Sequence, residues 1–169
     1  NTLVTSNDPE DFSGLSGFFD VIVIDAPCSG EGLFRKDPQA VNQWSPENVQ
    51  LCSARQKRIL HDAWPALREN GVLIYCTCTY NREENEDNLD EFSKAHDVDF
   101  VDLAPPDSWN IETVGKNHVK GYRFYPHRVK GEGFFISVLR KKEPASGFHP
   151  RSKKKLSQPS KKVSSTLQG

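Results

Sequence analysis

The apolar positions of this chain fall into short unbroken runs, separated by polar stretches with a different spacing. Phe19 to Asp25 is one such run, the pattern of a strand buried on both faces of a parallel sheet, and VLIYCT at 72–77 is a second. GFFISVLRK at 133–141 is a clear strand, Val98 to Leu103 a shorter one, and Leu3 to Thr5 reads as a strand end. Between the first two runs, Ser45-Pro46-Glu47 has the marks of a helix start: a capping hydroxyl, a proline at the first helical position and an acid near the positive end of the dipole. Cys52, Ile59, Leu60, Ala63 and Leu67 then recur at helical spacing, with Pro65 expected to kink or shorten the helix. NREENEDNLDEFSKA predicts a second helix, in which Asn81 and Glu84 fit a cap with a carboxylate three residues on. The Pro- and polar-rich stretch between Leu103 and residue 133 is expected to be loop.

Strand, helix, strand, helix predicts an α/β doubly wound sheet, and such sheets bind ligands outside the carboxyl ends of their strands. Asp25 and Cys28 fall at the carboxyl end of one strand and Cys78 at the end of the next, with one crossover helix between them. If those strands are neighbours, both thiols face one crevice.

Composition narrows the class. The chain has 169 residues, enough for one domain with appendages, and carries neither an apolar run of membrane-spanning length nor a signal-like start. A cytoplasmic protein with no membrane partner is the expectation. Its four cysteines, Cys28, Cys52, Cys76 and Cys78, have neither the density of a disulfide scaffold nor C-x-x-C zinc spacing, so reduced thiols and no metal are expected. The chain contains no methionine and opens as a strand already under way, which suggests a piece of a longer protein. The net charge of −1 hides an asymmetry: residues 1–139 hold 13 Lys and Arg against 22 Asp and Glu, whereas residues 140–169 hold 9 against 1. Residues 142–169 are Ser-, Lys- and Pro-rich and read as a disordered tail or linker that could add attraction to phosphates.

Cys52 and Cys76 read as small core residues. Cys28 and Cys78, among small and polar neighbours at strand ends, are open to function. Cys78 just precedes the helix expected near Asn81, whose positive end would favour the nucleophilic thiolate. The acidic run from Glu83 to Glu91 reads as the solvated face and favourable first turn of that helix rather than a metal cluster.

Four blocks carry a resemblance: DAPCSGEGLFRKDP at 25–38, WSPENVQ at 44–50, YCTCTYNREENE at 75–86 and GYRFYPHRVKGEGFFISVLRK at 121–141. Together they resemble the RNA cytosine-C5 methyltransferases of the Nop2/Sun family, in particular its bacterial members that act on 16S ribosomal RNA. The resemblance implies that residues 1–141 are the C-terminal portion of a Rossmann-like class I methyltransferase sheet, with parallel strands and an antiparallel last strand. The family's glycine-rich cofactor loop is not in the sequence and is expected upstream of Asn1. The resemblance further implies S-adenosylmethionine as cofactor and RNA, 16S ribosomal RNA, as partner.

By the same resemblance Cys78 is the nucleophile that adds to carbon 6 of cytosine, because carbon 5 is too weak a nucleophile to be methylated directly. Cys28 is the thiol that helps release the methylated base. Asp25 lies beside cofactor and target base, and Asp8 contacts the adenine of the cofactor. Arg35 and Lys36 could meet RNA phosphates, and Tyr122, Arg123, Phe124, Tyr125 and His127 could stack or pair around an extruded base, or simply pack. The alternative is a non-catalytic RNA-binding remnant of such an enzyme. A DNA methyltransferase would use the cysteine of the proline-cysteine pair as its nucleophile, and a redox or metal protein would use Cys76 and Cys78.

Overall fold

A computed structural model describes residues 2–145, so the expected basic tail lies, from residue 146 on, outside the described residues. Strand β1 (Phe19–Asp25) pairs in parallel with β2 (Leu67–Thr77), with Val21 opposite Val72 and Asp25 opposite Cys76. Two helices lie in the connection, α1 (Pro38–Gln43) and α2 (Pro46–Ala63). At the start of α2 the Ser45 hydroxyl accepts from the Asn48 amide at 3.1 Å, and at its end Pro65 converts the chain to a 3-10 turn over Trp64–Ala66. Next come α3 (Glu86–Ala95), β3 (Val98–Phe100), β4 (Glu112–Lys116), β5 (Val119–Phe124) and β6 (Phe134–Lys141).

The sheet runs β1-β2-β6-β5-β4, and β3 pairs with β6 as well. β6 is antiparallel to β2, with Cys76 opposite Ile136. Leu60 and Trp64 from the crossover, Leu67, Leu73 and Tyr75 from β2, Leu89 and Phe92 from α3, and Phe135 and Leu139 from β6 fill the core. The parallel β1–β2 pair is what places the ends at Asp25 and Thr77 side by side.

Four expectations differ from the structure. Leu3 to Thr5 is not a strand: Leu3 and Val4 are 89% and 87% exposed, and no strand pairs with them among the described residues, so nothing satisfies an extended backbone there. β1 is buried on one face only, because Ile24 enters the core while Val21 and Val23 stay 53% and 62% exposed on the other. The expected loop before β6 contains the β4–β5 hairpin, turned at Asn117 with φ at 56°, a conformation asparagine tolerates. Val119 and Tyr122 bury its inner side.

The acidic run is the fourth difference. Glu84, Glu86 and Asp90 are buried, each beside polar partners that compensate for lost water. Arg123 pairs with Glu86 at 2.7 Å, tying β5 to α3, and Asp90 accepts from Lys94 and Asn117.

Candidate active site

After Asp25 the Ala26 amide makes one more bond, to the Cys76 carbonyl at 2.9 Å, and the chain then leaves the sheet as Pro27-Cys28-Ser29-Gly30. Gly30 sits at φ 80°, which lets the chain turn back toward the neighbouring strand end. β2 ends at Thr77, and Cys78 follows at once. The two sulfurs lie 3.0 Å apart, and the Cys78 amide donates to Cys28 Sγ at 3.3 Å. The expectation that both thiols share one crevice is met.

Two carboxylates hold the loops together, each reaching across from one to the other. Glu31, on the Cys28 loop, accepts from the backbone amides of Tyr80 and Asn81 at 2.6 and 2.9 Å and from the Trp44 indole. Glu84, on the Cys78 side, accepts from the Ser29 amide at 3.0 Å, from Gln56 Nε2 at 2.7 Å and from Asn81 Nδ2 at 2.7 Å. Gln56 also donates to the Pro27 carbonyl and accepts from Asn88, so α2 and α3 brace both loops. At the closest point the Gly32 amide donates to the Cys78 carbonyl at 2.7 Å, and a Cβ on Gly32 would lie 2.5 Å from the Gly133 carbonyl oxygen.

Placed this way, the thiols differ in acidity. The hydrogen bond from Cys28 lowers the Cys78 pKa to about 7, against burial and the negative charges of Asp25 and Glu84, which push it up. The same hydrogen bond, with burial, holds Cys28 far above the ordinary thiol range. One proton therefore stays on Cys28, and Cys78 is the available thiolate near neutrality. The sequence expectation credited the start of a helix near Asn81. Regular helix α3 begins only at Glu86, and the hydrogen bond from Cys28 is the first cause. Asn81 does cap, accepting from the Glu84 amide at 2.8 Å. Cys76 is buried and pushed up to about 11, first by burial and then by Asp25, while Cys52 is only half-buried on α2.

A family model described as 16S rRNA methyltransferase RsmB/F matches residues 1–140. The chain belongs to that family. A relative from Salmonella paratyphi A named ribosomal RNA small subunit methyltransferase F is 42% identical over 160 residues, covering 88% of this chain and 32% of the relative. One of the same name from Escherichia coli O157:H7 is 42% identical over 134 residues, covering 76% and 27%. The chain thus spans about a third of the length of the curated relatives it matches. Among solved structures, NSun6 from Pyrococcus horikoshii with SFG has a TM-score of 0.61 at 31% identity, covering 72% of this chain and 30% of that one. A methyltransferase homolog protein from the same organism has a TM-score of 0.59 at 28% identity, covering 73% and 39%. The sheet, parallel at β1–β2 and antiparallel at β6, is that of the class I methyltransferases of this family.

In this RsmB/F chain a cleft of about 470 Å³ runs along β1, lined by residues of both its faces and by Ile59 and Ala63 of α2, with Phe12, Phe19, Val21 and Val23 among its apolar walls and Asn7 and Asp25 as polar groups. Asp25 is exposed at its end. Asp8 flanks the cleft between two lining residues, caps the 3-10 turn over Pro9–Leu15, and accepts from Arg58 at 2.7 and 3.0 Å. That guanidinium holds its carboxyl below the usual range.

The cluster at 122–127 divides. Tyr122 is buried and hydrogen-bonded to Asp102, and buried Arg123 is committed to Glu86, so these two pack. Tyr125 lies between Tyr80 and His127, with ring centroids 5.3 and 5.2 Å away. Arg35 donates to the Pro126 carbonyl, and Lys36 pairs with Glu132. Sequence reasoning gave Glu31 and Gln56 no role and read Glu84 as a cap within a solvated acidic run. The one available signal was a glutamate inside a glycine-rich turn.

Proposed function

We propose that the protein carrying this chain methylates carbon 5 of cytosine in 16S ribosomal RNA, with S-adenosylmethionine as methyl donor and Cys78 as covalent nucleophile. The observation that carries this reading is the thiol pair: two sulfurs 3.0 Å apart, one lowered to a pKa of about 7 and the other keeping the proton. Membership of the family supports the RNA substrate, and a neighbour solved with an analogue of S-adenosylmethionine supports the cofactor. A ribosomal RNA substrate accords with a cytoplasmic location. No helix among the described residues is long and apolar enough to cross a membrane.

The Cys78 thiolate adds to carbon 6 and pushes electron density onto carbon 5. Asp25, at the end of β1, accepts from the N4 amino group and so orients the base for attack at carbon 6. Once the Cys78 sulfur is bonded to carbon it no longer attracts the Cys28 proton. Once carbon 5 carries the methyl group, Cys28 can pass its proton to solvent and, as a thiolate, take the carbon-5 proton; that C–H electron pair re-forms the C5–C6 double bond, the C6–S pair returns to Cys78, and the base leaves. The β1 cleft fits the cofactor chemically, since its apolar walls suit a purine face and Asn7 and Asp25 suit amino and hydroxyl groups. Asp25 and Asp8 are the acidic residues assigned to it. When bound there, S-adenosylmethionine supplies the electrophilic methyl group.

The test uses the full-length protein and RNA. Cys78→Ala is expected to abolish both methyl transfer and covalent capture of RNA containing 5-fluorocytidine. Cys28→Ala is expected to attack and methylate but to stall before elimination, leaving on ordinary cytidine RNA an adduct that a denaturing gel resolves as a slowed band. Loss of the adduct in Cys28→Ala with retention in Cys78→Ala would reverse the two roles, and no adduct from any variant would favour a non-catalytic RNA-binding protein. Unchanged 16S methylation in cells lacking the gene, read by bisulfite sequencing, would defeat the choice of RNA.

A further inference from the structure

Residues 1–139 carry 13 basic against 22 acidic side chains, yet one concave surface has the opposite sign. The turn at Arg35–Lys36 and the loop at 126–132 enclose a groove of about 670 Å³, whose charged walls are Arg35, Lys36, Arg128 and Lys130 against Glu132, with His127 beside them. Arg35 ties the two walls through the Pro126 carbonyl at 3.3 Å. Lys36–Glu132 at 3.1 Å and Arg128–Glu112 at 2.6 Å are exposed pairs. Such pairs contribute little and exchange readily for a stronger anion.

The groove's loop adjoins the segment that follows Cys78. It runs into Gly133, on which the Tyr80 ring packs so closely that a Cβ there would lie 2.0 Å from it. From Tyr80, two residues past Cys78, an aromatic ladder continues through Tyr125 to His127 on the groove wall. Basic groups in a groove, with ring faces stepping into it from the reactive thiol, match a single strand that has phosphates along one side and bases along the other. An acidic peptide would use the charges and leave the ladder idle.

We propose that this groove is the track for RNA phosphates flanking the target cytosine, with Lys36, Arg128 and Lys130 as the phosphate-binding groups. The assignment rests on the RNA reading above and adds Arg128 and Lys130, which no motif singled out.

In the full-length protein, neutralising all three (Lys36→Ala, Arg128→Ala, Lys130→Ala) is expected to raise the KM for a cytidine-containing 16S fragment about tenfold or more, while saturating RNA still gives full capture of 5-fluorocytidine. Each charge removed should lower the slope of log Kd against log salt by about 0.7, the single-strand value, so the triple variant should lose about two. The charge-conserving variant (Lys36→Arg, Arg128→Lys, Lys130→Arg) should keep the wild-type slope. Should the triple variant unfold, the three single variants, each expected to lose about 0.7 of slope, carry the same test. Fluorescence anisotropy with the same RNA reads the slope without any turnover, so it tests the groove even if methylation itself is absent. An unchanged slope in the triple variant would overturn the assignment, as would competition by polyglutamate equal to that by polycytidylate.

Discussion

At the scale of single residues, two sulfurs share one proton unequally. With its pKa lowered to about 7, Cys78 is half ionised near neutrality, and the main cause is one donor, Cys28. Removing that donor leaves burial and the charges of Asp25 and Glu84, which disfavour the thiolate, against one weaker backbone hydrogen bond at Cys78, which favours it. Cys28→Ala should therefore move the Cys78 pKa up to or beyond the ordinary thiol value of about 8.5, cutting its alkylation rate at pH 7 roughly fifteenfold. Iodoacetamide labelling of the Cys78 peptide across pH, read by mass spectrometry, checks this; an inflection still near pH 7 would refute it. The thiols themselves were legible in the sequence, because a cysteine at the end of an apolar run is a local feature. What sets their separation was not. Glu31 meets the amides of Tyr80 and Asn81, some 50 positions away, and Glu84 meets Ser29 over a similar distance, so neither role exists until β1 and β2 are paired.

At the scale of elements, α2 matters most, because it carries the chain from β1 to β2 and also brings Gln56 under both loops. Its first turn depends on the Ser45 hydroxyl, which accepts from the Asn48 amide. Ser45→Ala should destabilise the protein by about 1 kcal/mol, whereas Ser45→Asp, which restores an acceptor, should stay within a few tenths. Urea unfolding followed by circular dichroism measures both, and an Ala variant as stable as the wild type would mean that packing alone holds the helix. The start of this element was legible, since serine and proline are local signals with fixed backbone consequences; its end was not, because Leu67, which continues the helical spacing, instead begins β2 just after the turn at Pro65. The β4–β5 hairpin was not, because ETVGK and VKGYRF alternate weakly and mix charge with glycine. Its strands exist through their ladder to one another and to β6, and through the burial of Val119 and Tyr122. The α3 acids failed for a related reason: composition reads a charge run as solvated, but Arg123 on β5 and Asn117 in the hairpin turn give the buried Glu86 and Asp90 polar partners from far along the chain.

At the scale of the whole molecule, the sheet is unevenly protected. Along its path β1 is terminal: among the described residues it pairs only with β2, and its outer face leaves Val21 and Val23 more than half exposed beside the apolar cleft. An unpaired edge next to exposed β-branched side chains is a template for another strand. The opposite end of the sheet is better guarded, since β4 carries Glu112 and Lys116 and the latter is paired with Asp87 on α3. Self-association of the 169-residue chain should therefore proceed through β1. Sedimentation velocity at rising concentration is expected to reveal species heavier than the 19.1 kDa monomer. Val23→Lys, which puts a charge on the exposed face without touching Ile22 or Ile24, should return the chain to monomer. The same substitution at Leu51, a 62% exposed residue on α2, should leave the association unchanged. A wild-type chain that stays monomeric at every concentration would show that the β1 edge is guarded after all, and equal effects of the two lysines would point to general solubility rather than strand pairing.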